Sequence, residues 1–163
     1  FPGHHCVVAG APNFDEPYYR QFVGEAKLPV LFNATYDLLN HAEAAVVASG
    51  TATLETALLN VPQVVVYKAN PLSIAIGRMV IRVKYISLVN LILNRPAVKE
   101  LIQKDCTLED VSDELDHLLN KNEYRQRVLD DYEQLRKIMG QPGASERTAE
   151  LVTKFLSPAA SET

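Results

Sequence analysis

Apolar residues in the first part of the chain fall in short runs broken by Pro, Gly, Asn and polar residues. The runs His5–Ala11, Val30–Phe32, Ala44–Ala48, Gln63–Tyr67 and Tyr85–Leu88 are too short for helices and read as strands. Between them, Glu16–Gly24, Thr35–Asn40, Thr51–Leu59 and a segment from Pro71 to about Arg82 carry helix-type patterns. A further helix is predicted to start at Arg95 and Pro96 and to place Glu100 and Gln103, three apart, on one face. Short apolar strands alternating with helices imply parallel pairing through right-handed crossovers. The predicted fold class is therefore α/β, a Rossmann-like parallel sheet with helices on both faces, where ligands sit beyond the carboxyl ends of the strands.

From Thr107 onward the pattern is helical only. Thr107 and Asp110 form a start signal, and Leu108, Val111, Leu115 and Leu118 make one apolar stripe. Tyr124, Val128, Leu129, Tyr132, Leu135 and Met139 repeat it in a second helix that stops near Gly140 and Pro142. A third helix is predicted from Ser145, with Ala149, Val152 and Phe155 facing inward. The expected organisation is a Rossmann-like domain over 1–104 lacking its opening strand, helices packed on it over 105–157, and a tail over 158–163.

Composition narrows the function without naming it. With 47% hydrophobic and 22% charged residues in 163, the chain reads as one globular unit. A net charge of -4 and the lack of a basic stripe interleaved with aromatics argue against a nucleic-acid partner. Cys6 and Cys106 have no Cys or His neighbour at zinc spacing, and adjacent His4 and His5 point to opposite faces of a strand, so no metal is expected. The sequence holds no Gly-x-Ser-x-Gly elbow, Walker lysine or Gly-x-Gly-x-x-Gly loop.

The chemistry concentrates in Ala44–Glu55, where an apolar strand runs into a Ser-Gly-Thr turn that opens a helix. Such a helix start presents unpaired N–H groups and the positive end of the dipole, which suits phosphate. Gly50 lets the backbone approach a ligand, Ser49 and Thr51 add hydroxyls, and Glu55 lies four residues beyond Thr51 on the same face. Phosphate donors followed one turn later by a carboxylate suit a nucleotide, with Glu55 reaching ribose hydroxyls. On spacing alone, Ser49 or Thr51 equally serves as a plain helix cap. Asn90, at the end of the predicted strand, reads either as a donor to phosphate or sugar or as a helix cap. Glu100 and Gln103 read as a ligand pair or a solvated face. Leu72–Val83, with Arg78 and Arg82, reads as a helix buried against the sheet or a surface that leans on lipid.

Ala48-Ser-Gly-Thr-Ala-Thr-Leu-Glu55, Pro62-Gln-Val-Val-Val-Tyr-Lys68, Tyr85-Ile-Ser-Leu-Val-Asn90, Pro96-Ala-Val-Lys-Glu-Leu-Ile-Gln103 and Gly143-Ala-Ser-Glu146 together resemble the carboxyl-terminal half of the lipid-A-disaccharide synthase family. The order and spacing match, over essentially the whole chain. The resemblance implies a GT-B glycosyltransferase that moves 2,3-diacylglucosamine from UDP-2,3-diacylglucosamine to 2,3-diacylglucosamine 1-phosphate, releasing UDP. It implies no cofactor or obligatory metal, and peripheral work at the inner face of the bacterial cytoplasmic membrane. On that basis Ser49, Gly50, Thr51 and Thr53 would cradle the diphosphate, Glu55 the ribose, and Asn90, Glu100 and Gln103 the sugar end of the donor. Without a metal, charge on departing UDP would be met by helix amides and these side chains, an electrostatic role.

Two departures qualify the match. The family usually has proline where Val89 stands, which loosens the loop carrying Asn90. The chain also begins after the strand and Gly-Ser-Arg loop that normally open this domain, so a fragment inactive alone is expected, its general base belonging to an amino-terminal domain. A missing central strand would expose edges that invite homodimerisation. The competing readings are a non-catalytic nucleotide-sugar module and another GT-B enzyme of UDP-sugars, such as an epimerase or a peptidoglycan glucosaminyltransferase.

Overall fold

The computed structural model describes residues 1–26, 28–48, 50–68, 84–140 and 143–156. Among the described residues five strands form two parallel sheets. One pairs β1 (Val8–Gly10) with β2 (Val30–Phe32); the other runs β3 (Ala45–Ala48), β4 (Gln63–Tyr67), β5 (Lys99–Ile102). Strand β4 has a neighbour on each side and its Val64 and Val65 are wholly buried, as expected for a parallel strand covered on both faces. Helices α1 (Glu16–Val23), α2 (Thr35–His41) and α3 (Thr51–Leu58) make the crossovers, and α4 (Leu88–Leu93) precedes β5. Register places Ala48 level with Val66, and Val66 level with Leu101, so β3, β4 and β5 end at one edge. Among the described residues β1 and β2 form one sheet and β3 to β5 the other, and α2 leads from the first to the second.

The expected strand Tyr85–Leu88 and the expected helix from Arg95 to Gln103 are both overturned. Ser87 caps a helix instead: its Oγ accepts from Asn90 N–H at 3.2 Å, and the apolar run that follows winds into α4. A short apolar run fits either period, and here the cap decides. Asn94, at φ 52° in the left-handed region, ends α4 before Pro96. Lys99–Ile102 then extends along β4, with Val65 paired to Glu100. Val98, just outside the strand, is held by the Asn90 side chain. Gln103, at φ 57°, opens a single 3-10 turn, so it shares no helix face with Glu100. The expected helix Pro71–Arg82, with Arg78, lies outside the described residues, as do Lys27 and Ser49.

Three helices complete the described chain: α5 (Leu108–Asn120), α6 (Asn122–Met139) and α7 (Ala144–Leu156). Leu118, Val128, Tyr132 and Leu135 pack with Ala57, Val65 and Val89 in one core, each large side chain contributing about 1.5–3 kcal/mol. Five stripe positions depart from expectation. Leu108, the first residue of α5, is 85% exposed, Met139 at the end of α6 is exposed, and Val152 and Phe155 of α7 face outward, Phe155 at 89%. No residue of α7 is buried, Ala149 included. Thr107 caps α5, its Oγ accepting from Asp110 N–H at 3.0 Å. Thr107→Ala is expected to lower stability by about 1 kcal/mol in urea unfolding.

Two phenols in these helices link stability to alkaline pH. Burial above all, then the Glu114 carboxylate that accepts from Tyr124 Oη at 2.6 Å, push the Tyr124 phenol well above its ordinary value of 10. Burial does the same to Tyr132. Both stay protonated when folded while the unfolded phenols ionise above pH about 10, so their contribution is complete below that pH and declines above it. Unfolding followed from pH 8 to 11.5 is expected to show that decline, and Tyr132→Phe to lessen its slope.

Candidate functional site

Helix α3 starts where β3 ends. Gly50 is its cap residue at φ 126°, ψ −161°, a conformation that disfavours side chains, and a Cβ there would meet nothing within 4 Å. Glycine therefore serves the turn and leaves the approach open. No described side chain caps the helix; Thr53 N–H donates to Gly50 O at 3.2 Å, and the N–H groups before it point along the dipole. Thr51, the first helical residue, is exposed. Thr53 turns the other way: it is fully buried and its hydroxyl donates to Gly50 O at 2.8 Å, bracing the turn from inside. Glu55, one turn on, is half-buried, and its carboxylate raises the pKa of the exposed Tyr36 phenol above its ordinary value.

Asn90 and Glu100 form a second group. The Asn90 side chain is 1% exposed, its Nδ2 donating to Val98 O and its Oδ1 accepting from Val98 N–H, both at 2.9 Å. Glu100 Oε1 accepts from Ser87 N–H at 2.9 Å, Ser87 Oγ at 2.7 Å and Asn90 Nδ2 at 2.9 Å, and Ile86 N–H reaches both carboxylate oxygens. The carboxylate thus sits at the start of α4, where the dipole favours negative charge. These two side chains lock the loop Tyr85–Ser87 onto β5. Beside them lies an open depression of about 270 Å³ lined by Tyr85, Pro96, Lys99, Ile102 and Tyr124. Gln103 follows β5 at the same edge from which the Gly50 turn emerges.

Tyr36 and Ser87 are the two residues of these groups that sequence reasoning passed over. Ser87 had a signal, a cap residue directly before an apolar run. Tyr36 had only its place, in the first turn of the helix that follows β2. Among the described residues no group of three His, Cys, Asp or Glu side chains could hold a metal, and no helix is long and apolar enough to cross a membrane.

Parallel strands joined by helices, with an open helix start at their carboxyl edge, define a Rossmann-like unit of the kind that makes up half of a GT-B fold. The sequence profile described as lipid-A-disaccharide synthetase matches residues 1–155. The chain belongs to the lipid-A-disaccharide synthase family. It is 41% identical over 142 residues to the lipid-A-disaccharide synthase of Syntrophus aciditrophicus, covering 85% of this chain and 37% of that protein. Identity to the synthase of Syntrophotalea carbinolica is 40% over 156 residues, covering 94% and 40%. Identity to that of Persephonella marina is 35% over 158 residues, covering 93% and 41%. The chain spans about two-fifths of the length of these curated relatives.

Proposed function

We propose that this chain is the UDP-sugar-binding part of a lipid-A-disaccharide synthase, a glycosyltransferase that moves 2,3-diacylglucosamine from its UDP conjugate to 2,3-diacylglucosamine 1-phosphate. The observation that carries this reading is the uncapped start of α3 at the carboxyl edge of the sheet, with Thr51 and Glu55 one turn apart. The N–H groups of the first turn and the hydroxyls of Thr51 and Ser49 receive the diphosphate. Thr53 holds the turn in shape through Gly50 O. Glu55 accepts from the ribose hydroxyls. Asn90 and Glu100 serve the sugar end of the donor by fixing the Tyr85–Ser87 loop, and Gln103 adds a polar group at the same edge. As UDP departs, negative charge builds on its phosphates, and preformed amide donors meet it with little reorganisation. The full protein, on this reading, works peripherally at the inner face of the cytoplasmic membrane, where its acylated substrates lie.

Calorimetric titration tests this. UDP is expected to bind in preference to ADP, and Glu55→Ala to weaken UDP about tenfold or more, the usual loss of a hydrogen bond to a charged group. Equal affinity for the two nucleotides, or an unaltered Glu55→Ala variant, would contradict it.

A further inference from the structure

Gln63 opens the central strand β4 at a fully buried position, where an apolar residue is the rule. Its Nε2 donates to Thr53 O at 2.8 Å and to Tyr132 Oη at 3.3 Å, while Oε1 has no partner among the described residues. An orphaned buried oxygen costs free energy, and an unbranched apolar side chain would fill the same space without that cost. Packing therefore does not account for the amide. What the amide does is hold Thr53 from inside the core. Thr53 N–H and Thr53 Oγ in turn both donate to Gly50 O, at 3.2 and 2.8 Å, which turns that carbonyl into the helix. In a planar trans peptide the N–H points opposite to the C=O, so Thr51 N–H is aimed out of the start of α3.

We propose that Gln63 is a positioning residue for the phosphate end of the nucleotide: through Thr53 and Gly50 O it fixes the direction of the Thr51 N–H that receives the diphosphate. The inference rests on the nucleotide-binding reading above and adds to it a buried residue that touches no ligand. Donors that meet a charge act with little reorganisation only when they are fixed beforehand. Without the amide, Thr53 and the turn it braces gain freedom, and each phosphate contact must first remove it. The same amide ties the turn to α6 through Tyr132 Oη. The orphaned Oε1 is then stability given up for the aim of a binding group.

The test titrates UDP and uridine into the 163-residue chain and two variants. Gln63→Met fills the same space without a donor and is expected to unfold within about 5 °C of wild type. It is expected to bind UDP about fivefold more weakly, the scale of one hydrogen bond, and uridine, which has no phosphates, within about twofold of wild type. Gln63→Glu supplies a rescue that pH controls. As a neutral acid it keeps one donor for Thr53 O, and as a carboxylate it presents only acceptors to that oxygen. Burial raises its pKa, and Tyr132, the described titratable group bonded to this position, stays a neutral phenol because burial raises its own. UDP affinity of folded Gln63→Glu, relative to wild type at the same pH, is therefore expected near wild type at pH about 5 and about tenfold lower at pH about 8. If wild type binds UDP and Glu55→Ala weakens it, but Gln63→Met binds as wild type does, the role of Gln63 is overturned and the nucleotide reading stands. Equal losses of UDP and uridine in Gln63→Met, or a ratio for folded Gln63→Glu that does not change with pH, likewise overturn it. If folded wild type does not bind UDP, the nucleotide reading itself fails and takes this inference with it.

Discussion

Glu100→Ala is expected to lower the stability of the chain by about 3 kcal/mol, seen as a lower urea midpoint with an unchanged slope. The carboxylate gathers Ile86 N–H, Ser87 N–H, Ser87 Oγ and Asn90 Nδ2, and truncation takes this acceptor from the first three and leaves Asn90 Nδ2 with Val98 O alone. Water reaches some of them because Glu100 is only half-buried, which keeps the loss below the sum of the individual penalties. Glu100→Gln is expected to cost less, about 1–2 kcal/mol, since one acceptor oxygen survives while the new amide faces donors. Wild-type stability in Glu100→Ala would mean that the loop before α4 is held by something other than this carboxylate.

Tyr132→Ala is expected to be at least as damaging, at about 3–5 kcal/mol. The ring is fully buried where α6 meets α3 and β4, among Ala57, Val65, Val89 and Leu135. Its hydroxyl accepts from Gln63 Nε2 at 3.3 Å, and the same amide donates to Thr53 O at 2.8 Å. Gln63 Oε1 is already buried without a partner, so this amide tolerates little further loss. Tyr132→Phe keeps the packing and removes only the hydroxyl, for an expected cost of about 1 kcal/mol. Through Gln63 and Thr53 the damage also reaches the turn at Gly50, because Thr53 braces that turn. A Tyr132→Ala variant as stable as Tyr132→Phe would place the core elsewhere.

Much of the fold was legible because the residues that decide it are close in sequence. Val64 to Val66 are β-branched and bounded by Pro62, so β4 appears at its predicted limits, Gln63–Tyr67. The Gly50-Thr51 turn marks the start of α3 in the same local way. The Tyr85–Gln103 stretch was misread because its structure is fixed across a distance. Asn90 holds Val98, and Glu100 caps the helix that begins after Ser87, contacts that no window of periodicity contains. In the last helices, periodicity showed which residues share a face but not whether anything packs on it. Leu118 and Leu135 are buried, whereas Leu108 and Phe155, which fit the same patterns, are exposed. In the candidate site Thr51 and Thr53 were indistinguishable as hydroxyls. Only the fold shows Thr51 facing out and Thr53 spent on Gly50 O. Tyr36 lies on α2, and nothing in the spacing of the Glu55 motif points to it.

On the proposed reading a uridine diphosphate sits at the start of α3. Backbone amide shifts recorded by NMR while UDP is added locate it directly. The expected result is saturable shifts at Gly50 to Glu55 and at Tyr36, with little change around Lys99 and Tyr124. Shifts confined to the depression between Tyr85, Lys99 and Tyr124, with Gly50 and Thr51 unmoved, would contradict it.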